Sequence, residues 1–163
     1  MSASWMIPIG IIIIILAFLA IAWSSEWSFV GGPNDPGRYD FQAGQRRATK
    51  NDALACTEGL CAKPDWILPA YSMPPDRLIA EIVERMKRID PRSRRVDTAD
   101  TPGYARLLTF SPIMRFPDAI DVEAIGLPGQ KTGLRVYSRA KLGSSDFGKN
   151  AEHIRRLTRG ITP

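Results

Sequence analysis

The chain has 163 residues, with 22 Lys and Arg against 17 Asp and Glu and a formal net charge of +5. Every charged residue lies from Glu26 onward. That split excludes a plain cytosolic globule, a wholly disordered chain and a multi-span membrane protein. It leaves one hydrophobic N-terminal segment and one soluble domain of roughly 100 to 115 residues.

Residues 1–25 read as a transmembrane anchor. Ile7 to Trp23 contains a run of five isoleucines and no charge, and with Trp5 and Met6 it reaches the ~20 residues a bilayer core requires. Trp5 at one end and Trp23, Trp27 and Phe29 at the other suit the two interfacial aromatic belts. Pro8 falls in the first turn, where its missing N–H costs little. A cleavable signal peptide is the rival reading, and Ala20-Ile21-Ala22 fits its small-x-small cleavage pattern. The absence of Lys or Arg ahead of the apolar run, and the length of that run, favour an anchor that is kept. The flanking charges Glu26, Asp35, Arg38 and Asp40 are balanced, so positive-inside counting assigns no orientation.

Residues 26–53 read as a juxtamembrane linker, rich in Gly and Pro from Gly31 to Gly37 and without a core of its own. Residues 54–163 form the soluble domain. Cys56 and Cys61 open it, with four residues between them, Gly59 included. With His153 the single histidine and no third cysteine, a metal centre lacks ligands, and neither a haem nor a C-x-x-C redox motif is present. A disulfide is the natural state of this pair in an oxidising compartment, with two free thiols as the alternative.

Pro74-Pro75-Asp76 starts a helix that runs to Ile89. Leu78, Ile79, Ile82, Val83, Met86 and Ile89 recur at helical spacing. Glu81 with Arg85 and Glu84 with Arg88 form i, i+4 pairs, and Asp90-Pro91 ends the helix. Short extended runs follow at Arg94–Ala99, Tyr104–Phe110, Ala119–Ile125 and Leu134–Ala140, the last two joined by a hairpin-like loop from Leu127 to Gly133. Ser144-Ser145-Asp146 then caps a last helix in which Phe147, Ala151, Ile154 and Leu157 share a face. The expected fold is α+β: a small antiparallel sheet of three to five strands flanked by an N-terminal and a C-terminal helix.

The stretch LRVYSRAKLGSSDFGKNAEHI, from Leu134 to Ile154, carries the most information. An Arg/Ser-rich strand, a glycine, then Ser-Asp-x-Gly-x-Asn and a helix resemble the C-terminal signature of a bacterial and plastid family, domain of unknown function 1499. The matching positions are Ser138, Arg139, Gly143, Ser145, Asp146, Gly148 and Asn150. The resemblance spans Leu54 to about Ile161 and implies a bacterial envelope protein, with no activity to carry over. Three features depart from the pattern. Ala119 stands in place of the second aspartate after Asp118, Lys141 stands where Arg is usual, and the Pro-Asn before the cysteine is absent.

The block supports two readings. In the structural one, Gly143 turns the chain, Ser145 caps the last helix, Asp146 meets its dipole and Gly148 lets it pack closely. Asn150 then bonds a neighbouring loop, and Arg139 or Lys141 pairs with Asp118 or Asp146. In the binding one, Ser144 and Ser145 offer backbone N–H groups to an anion at the helix start, with Arg139, Lys141 and Lys149 supplying charge. Asp146 competes for that anion site. A Ser138–His153–Asp118 hydrolase can be drawn, but no spacing asks for it, and neither a nucleophile elbow nor a phosphate loop is present. No catalytic residue, cofactor or metal is assigned.

The expected protein is therefore a non-catalytic, single-pass protein of the bacterial inner membrane with a periplasmic domain. Its partners are the lipid bilayer and a larger membrane complex or envelope protein. A small-ligand, lipid or anion-binding domain is the second reading, and a hydrolase of unassigned type the third. The eight basic and two acidic residues from Lys131 onward suit lipid headgroups or an acidic partner. Nucleic acid is not expected, since no stacking aromatics are interleaved with these charges.

Overall fold

The computed structural model describes residues 6–24 and 34–163, and within the first stretch the side chains of 8–21. Trp5, Trp27 and Phe29, and the side chain of Trp23, lie outside the described residues, as does the Gly31–Pro33 part of the linker. Helix α1, Met6–Ser24, has neither an acidic first turn nor a basic last one. Its described side chains stop short of the ~20 residues a span needs, and among the described residues no helix is long and apolar enough to cross a membrane.

The domain is α+β, built on one sheet of six strands. Strands β1 (Asp52–Thr57), β2 (Trp66–Leu68), β3 (Arg94–Arg95), β4 (Tyr104–Phe110), β5 (Pro117–Leu127) and β6 (Lys131–Ala140) lie in the order β2-β1-β6-β5-β4-β3. Helices α2 (Pro75–Ile89) and α3 (Lys149–Thr158) complete it. The sheet is mixed, which corrects the expected all-antiparallel sheet of three to five strands. Strands β1 and β2 pair in parallel, while all other pairs are antiparallel. Strand β1 carries no period-2 pattern because both its faces are buried, and only a strand with one wet face alternates.

Residues 94–99 yield a strand of two residues, Arg94–Arg95, after which the Asp97 carboxylate takes up the Arg106 and Ala99 N–H groups. The hairpin between β5 and β6 closes through a short turn at Pro128–Gln130, so both strands outrun their expected ends.

Helices α2 and α3 cover one face of the sheet. Leu78, Ile82 and Met86 of α2 and Ile154 and Leu157 of α3 pack on Ile120, Val122, Leu134 and Val136, all at most 1% exposed. Pro75 occupies the first turn of α2 and Asp90 ends it. The Glu81–Arg85 pair forms at 2.6 Å, whereas Glu84 turns to Lys87 and Arg88 to Glu81. Such exposed partners exchange at little cost. Asp76 accepts the Gly103 N–H, and a Cβ at Gly103 would sit 2.6 Å from the Ala124 oxygen. Only glycine allows β4 to start so close to β5.

The opposite face is covered by residues 34–50, which corrects the reading of this segment as an arm without packing. Tyr39, 5% exposed, stacks on Tyr137 at 3.9 Å between ring centroids. Asp35 makes a two-pronged pair with Arg106, and Arg46 reaches both Asp52 and Asp65. The Cys56–Cys61 disulfide is formed beneath this layer, with Cys56 fully buried beside Tyr39, Leu54 and Tyr137.

Candidate functional site

A strand sends successive side chains to opposite faces, so Ser138 and Arg139 cannot share a site. Ser138 lies opposite Ala53 and Ile120 on the helix face, fully buried. Its hydroxyl donates to Asn150 Oδ1 at 2.5 Å. Asn150, also fully buried, donates through Nδ2 to the Asn51 carbonyl at 2.9 Å and to Asp146 at 2.7 Å. Asp146 in turn accepts the Gly148 and Asn150 N–H groups. Asn51 closes the circuit by donating to the Gly143 carbonyl. The signature thus ties β6, the segment entering β1 and the start of α3 into one clasp, in which each polar group satisfies another.

Several expected roles change. The residue preceding α3 is Gly148, and Asp146 supplies the capping bonds. Ser145 accepts only the Phe147 N–H, at 3.4 Å. A Cβ on Gly148 would meet nothing, so its role is the left-handed turn (φ 81°) rather than close packing. Phe147 is 96% exposed, off the apolar face expected for it. Asp146 occupies the helix start, where the expected anion pocket of Ser144 and Ser145 would lie.

Arg139 pairs with neither Asp118 nor Asp146. It crosses the other face to Asp121 at 3.2 Å and donates to the Gly37 carbonyl, while its buried Nε has no hydrogen-bond partner. Asp121 has no exposed surface and accepts the Tyr39 N–H at 3.0 Å and the Tyr104 hydroxyl at 2.5 Å. Burial pushes its carboxyl above the usual range against the pull of these donors. Burial, with the adjacent Asp121, likewise raises the Tyr104 phenol. Arg135 bonds Glu123, and Tyr137 donates to Asp52. Lys141 donates to Asn34 Oδ1 at 3.2 Å.

Asp118 lies on the helix face at the first turn of α3. Burial, assisted by the charge of Asp146 and opposed by Lys149, pushes its carboxyl up to about 7. His153 is pushed down by burial, and its Nδ1 stands 3.9 Å from Asp118 Oδ2, too far for a hydrogen bond. The Ser138 proton points at Asn150, so these three residues do not form a nucleophile–base relay.

Beside this clasp a cleft of about 520 Å³ opens between residues 34–37 and the end of β6. Arg47, Arg139 and Lys141 line it together with the Gly37 backbone. Arg139 and Lys141 were legible as candidates and Arg47 as a basic residue of the linker suited to anionic lipid, whereas the place of Arg47 in this cleft and the burial of Asp121 were not. Both belong to a layer that exists only because residues 34–50 return to the sheet.

These features define an α+β domain whose C-terminal signature is a clasp between strand and helix, with a polar layer on the other side of the sheet. The chain belongs to the DUF1499 family of proteins of unknown function, whose model matches residues 38–161. The match begins upstream of the Leu54 expected from the sequence, inside the segment that covers the sheet. No curated protein matches the chain.

Proposed function

We propose that the protein is a non-catalytic, membrane-anchored envelope module whose soluble domain docks on a larger membrane complex or another envelope protein. The observation that carries this reading is the use of the signature block. Ser138, Asp146 and Asn150 spend their polar groups on one another and on the backbone, which leaves none of them presented to a substrate. Two further features support it. Residues 9–21 of α1 expose isoleucine and leucine on every side, Ile14 at 70%, as a helix solvated by lipid would. The Cys56–Cys61 disulfide favours a periplasmic domain on a bacterial inner membrane.

The test is a mild-detergent pull-down of the full-length chain from native membranes, run beside a version in which a cleavable signal replaces α1. A stoichiometric membrane complex, lost with the anchor, is the expected result. Substrate turnover by a partner-free monomer would overturn the proposal.

A second reading, anion binding, is favoured by the cleft of Arg47, Arg139 and Lys141. Titration with inorganic phosphate, followed by calorimetry, should give a saturable heat that Arg47→Ala abolishes. A flat titration removes this reading.

A further inference from the structure

Outside α1, the large apolar side chains exposed among the described residues are Ile67, Ile113, Phe116 and Phe147. All but Ile67 sit at one end of the sheet. The loop of residues 111–116 leaves β4 at Phe110 and enters β5 at Pro117, which pair with each other. The loop of residues 141–148 leaves β6 where Ala140 faces Asp118, and its Lys141 N–H bonds the Pro117 carbonyl. Ile113 is 81% exposed and Phe147 96%. Phe147 also holds a left-handed backbone (φ 53°) in which its ring touches nothing that would compensate. A side chain placed so gains its return outside the domain.

Basic residues surround these three. Arg47 donates to the Ala140 carbonyl, Lys50 bridges to Ser145, Lys141 holds Asn34, and Lys149 starts α3. The carboxylates of this end are occupied: Asp146 by the N–H groups of Gly148 and Asn150, Asp90 by Thr109 and Phe110, Asp35 by Arg106. Asp118 is largely buried. Asp146 keeps its charge, but Asp35 and Asp90 are offset by Arg106 and Arg92. Arg47, Lys50, Lys141 and Lys149 therefore leave this end net positive around its apolar tips, the pattern that favours an anionic lipid surface. The chain enters the domain at this same end, at Asn34. Between Ser24 and Asn34 it spans at most about 36 Å even when drawn straight.

We infer that this end of the sheet is a membrane-docking face: Ile113, Phe116 and Phe147 enter the headgroup layer of an anionic bilayer, and Arg47, Lys50, Lys141 and Lys149 meet lipid phosphates. The inference rests on α1 being the anchor, and it goes further by orienting the domain. The open hairpin end at Pro128 then points away from the bilayer, toward whatever partner is captured.

The test uses the full-length chain, with Cys56 and Cys61 kept oxidised, reconstituted into vesicles of phosphatidylcholine with or without phosphatidylglycerol. An environment-sensitive fluorophore is attached at Ile113→Cys, Phe147→Cys or, as the remote control, Pro128→Cys, all exposed positions. The expected result with phosphatidylglycerol is a blue shift at 113 and 147 with several-fold stronger quenching by spin-labelled lipid than at 128. Lys50→Glu with Lys149→Glu should reduce that quenching at least twofold. Protein that fails to stay with the vesicles through alkaline extraction removes the anchor and the inference together. Protein that stays, with labels at 113 and 147 as wet as that at 128, overturns the docking face and leaves the anchor standing. Shielding that appears only when native membrane proteins are restored assigns this end to a protein partner and overturns the bilayer as its occupant.

Discussion

The two faces of the sheet are built from different physics, although the same strands make both. On the helix face, Ile120, Val122, Leu134 and Val136 meet α2 and α3 in a core held by non-directional burial. On the other face, Asp121, Arg139, Tyr104, Tyr137 and Asp52 lie under residues 34–50 and are held by hydrogen bonds and ion pairs that must each find a partner. The first face tolerates a change of shape better than a change of polarity. The second has the reverse sensitivity, because a charge left without its partner in a buried layer costs more than the pair contributed.

Asp121→Ala should have the largest effect. It strands the mostly buried Arg139, the Tyr104 hydroxyl and the Tyr39 N–H, and should cost about 3–5 kcal/mol in urea unfolding. A loss below about 1 kcal/mol would show that the polar layer is wet and adaptable. Ile82→Ala, its counterpart on the helix face, should cost about 3 kcal/mol by leaving a cavity beneath α2. That loss should be unchanged by 1 M salt, roughly the concentration that shortens the Debye length to 3 Å.

Asp118 sharpens the comparison, as a carboxyl on the apolar side. Its folded pKa of about 7 lies above the unfolded value, so the native state holds a proton that the unfolded chain releases. Stability from this group is therefore complete below about pH 4 and is lost as pH rises toward 7. Asp118→Asn should raise stability by about 4 kcal/mol at pH 8 and by nothing measurable at pH 4. His153, whose opposite shift weakens the fold as pH falls through the imidazole range, lies 3.9 Å from Asp118, so the same pair of unfolding curves is repeated in a His153→Gln background.

Reduction of Cys56–Cys61 should cost about 2 kcal/mol for so short a loop, and hydrogen exchange should then rise around Tyr39 and Leu54 while α2 keeps its protection. Ser145→Ala should come last, below about 0.5 kcal/mol, because this residue does not cap α3. A loss near 1 kcal/mol by thermal melting would return the cap to Ser145.

What was legible in the sequence follows a physical rule. Helix α2 could be read from Leu78, Ile79, Ile82 and Met86 because a surface helix must bury one stripe, and 3.6-residue spacing marks it. Strands β4, β5 and β6 could be placed, though not their full lengths, because turn residues bound them. Strand β1 could not, since Ala53, Leu54, Ala55 and Cys56 are all buried and show no period. The burial of Asp121 could not be read, because it alternates with Ile120 and Val122 as a wet residue would and nothing nearby in sequence says that Tyr39 will cover it.

The sequence by itself determined the uncharged N-terminal segment, the α+β class, the family signature and, Asn51 apart, the residues of the clasp. These are local matters of composition, period and motif. Tertiary structure alone decided that Arg139 meets Asp121 and the Gly37 carbonyl and that residues 34–50 close over the sheet. It also brought Ile113 and Phe147 to one end, beside the point where the chain arrives. Each of these depends on strands pairing over tens of residues, and the partners in such pairings leave no mark on each other's neighbours in the chain.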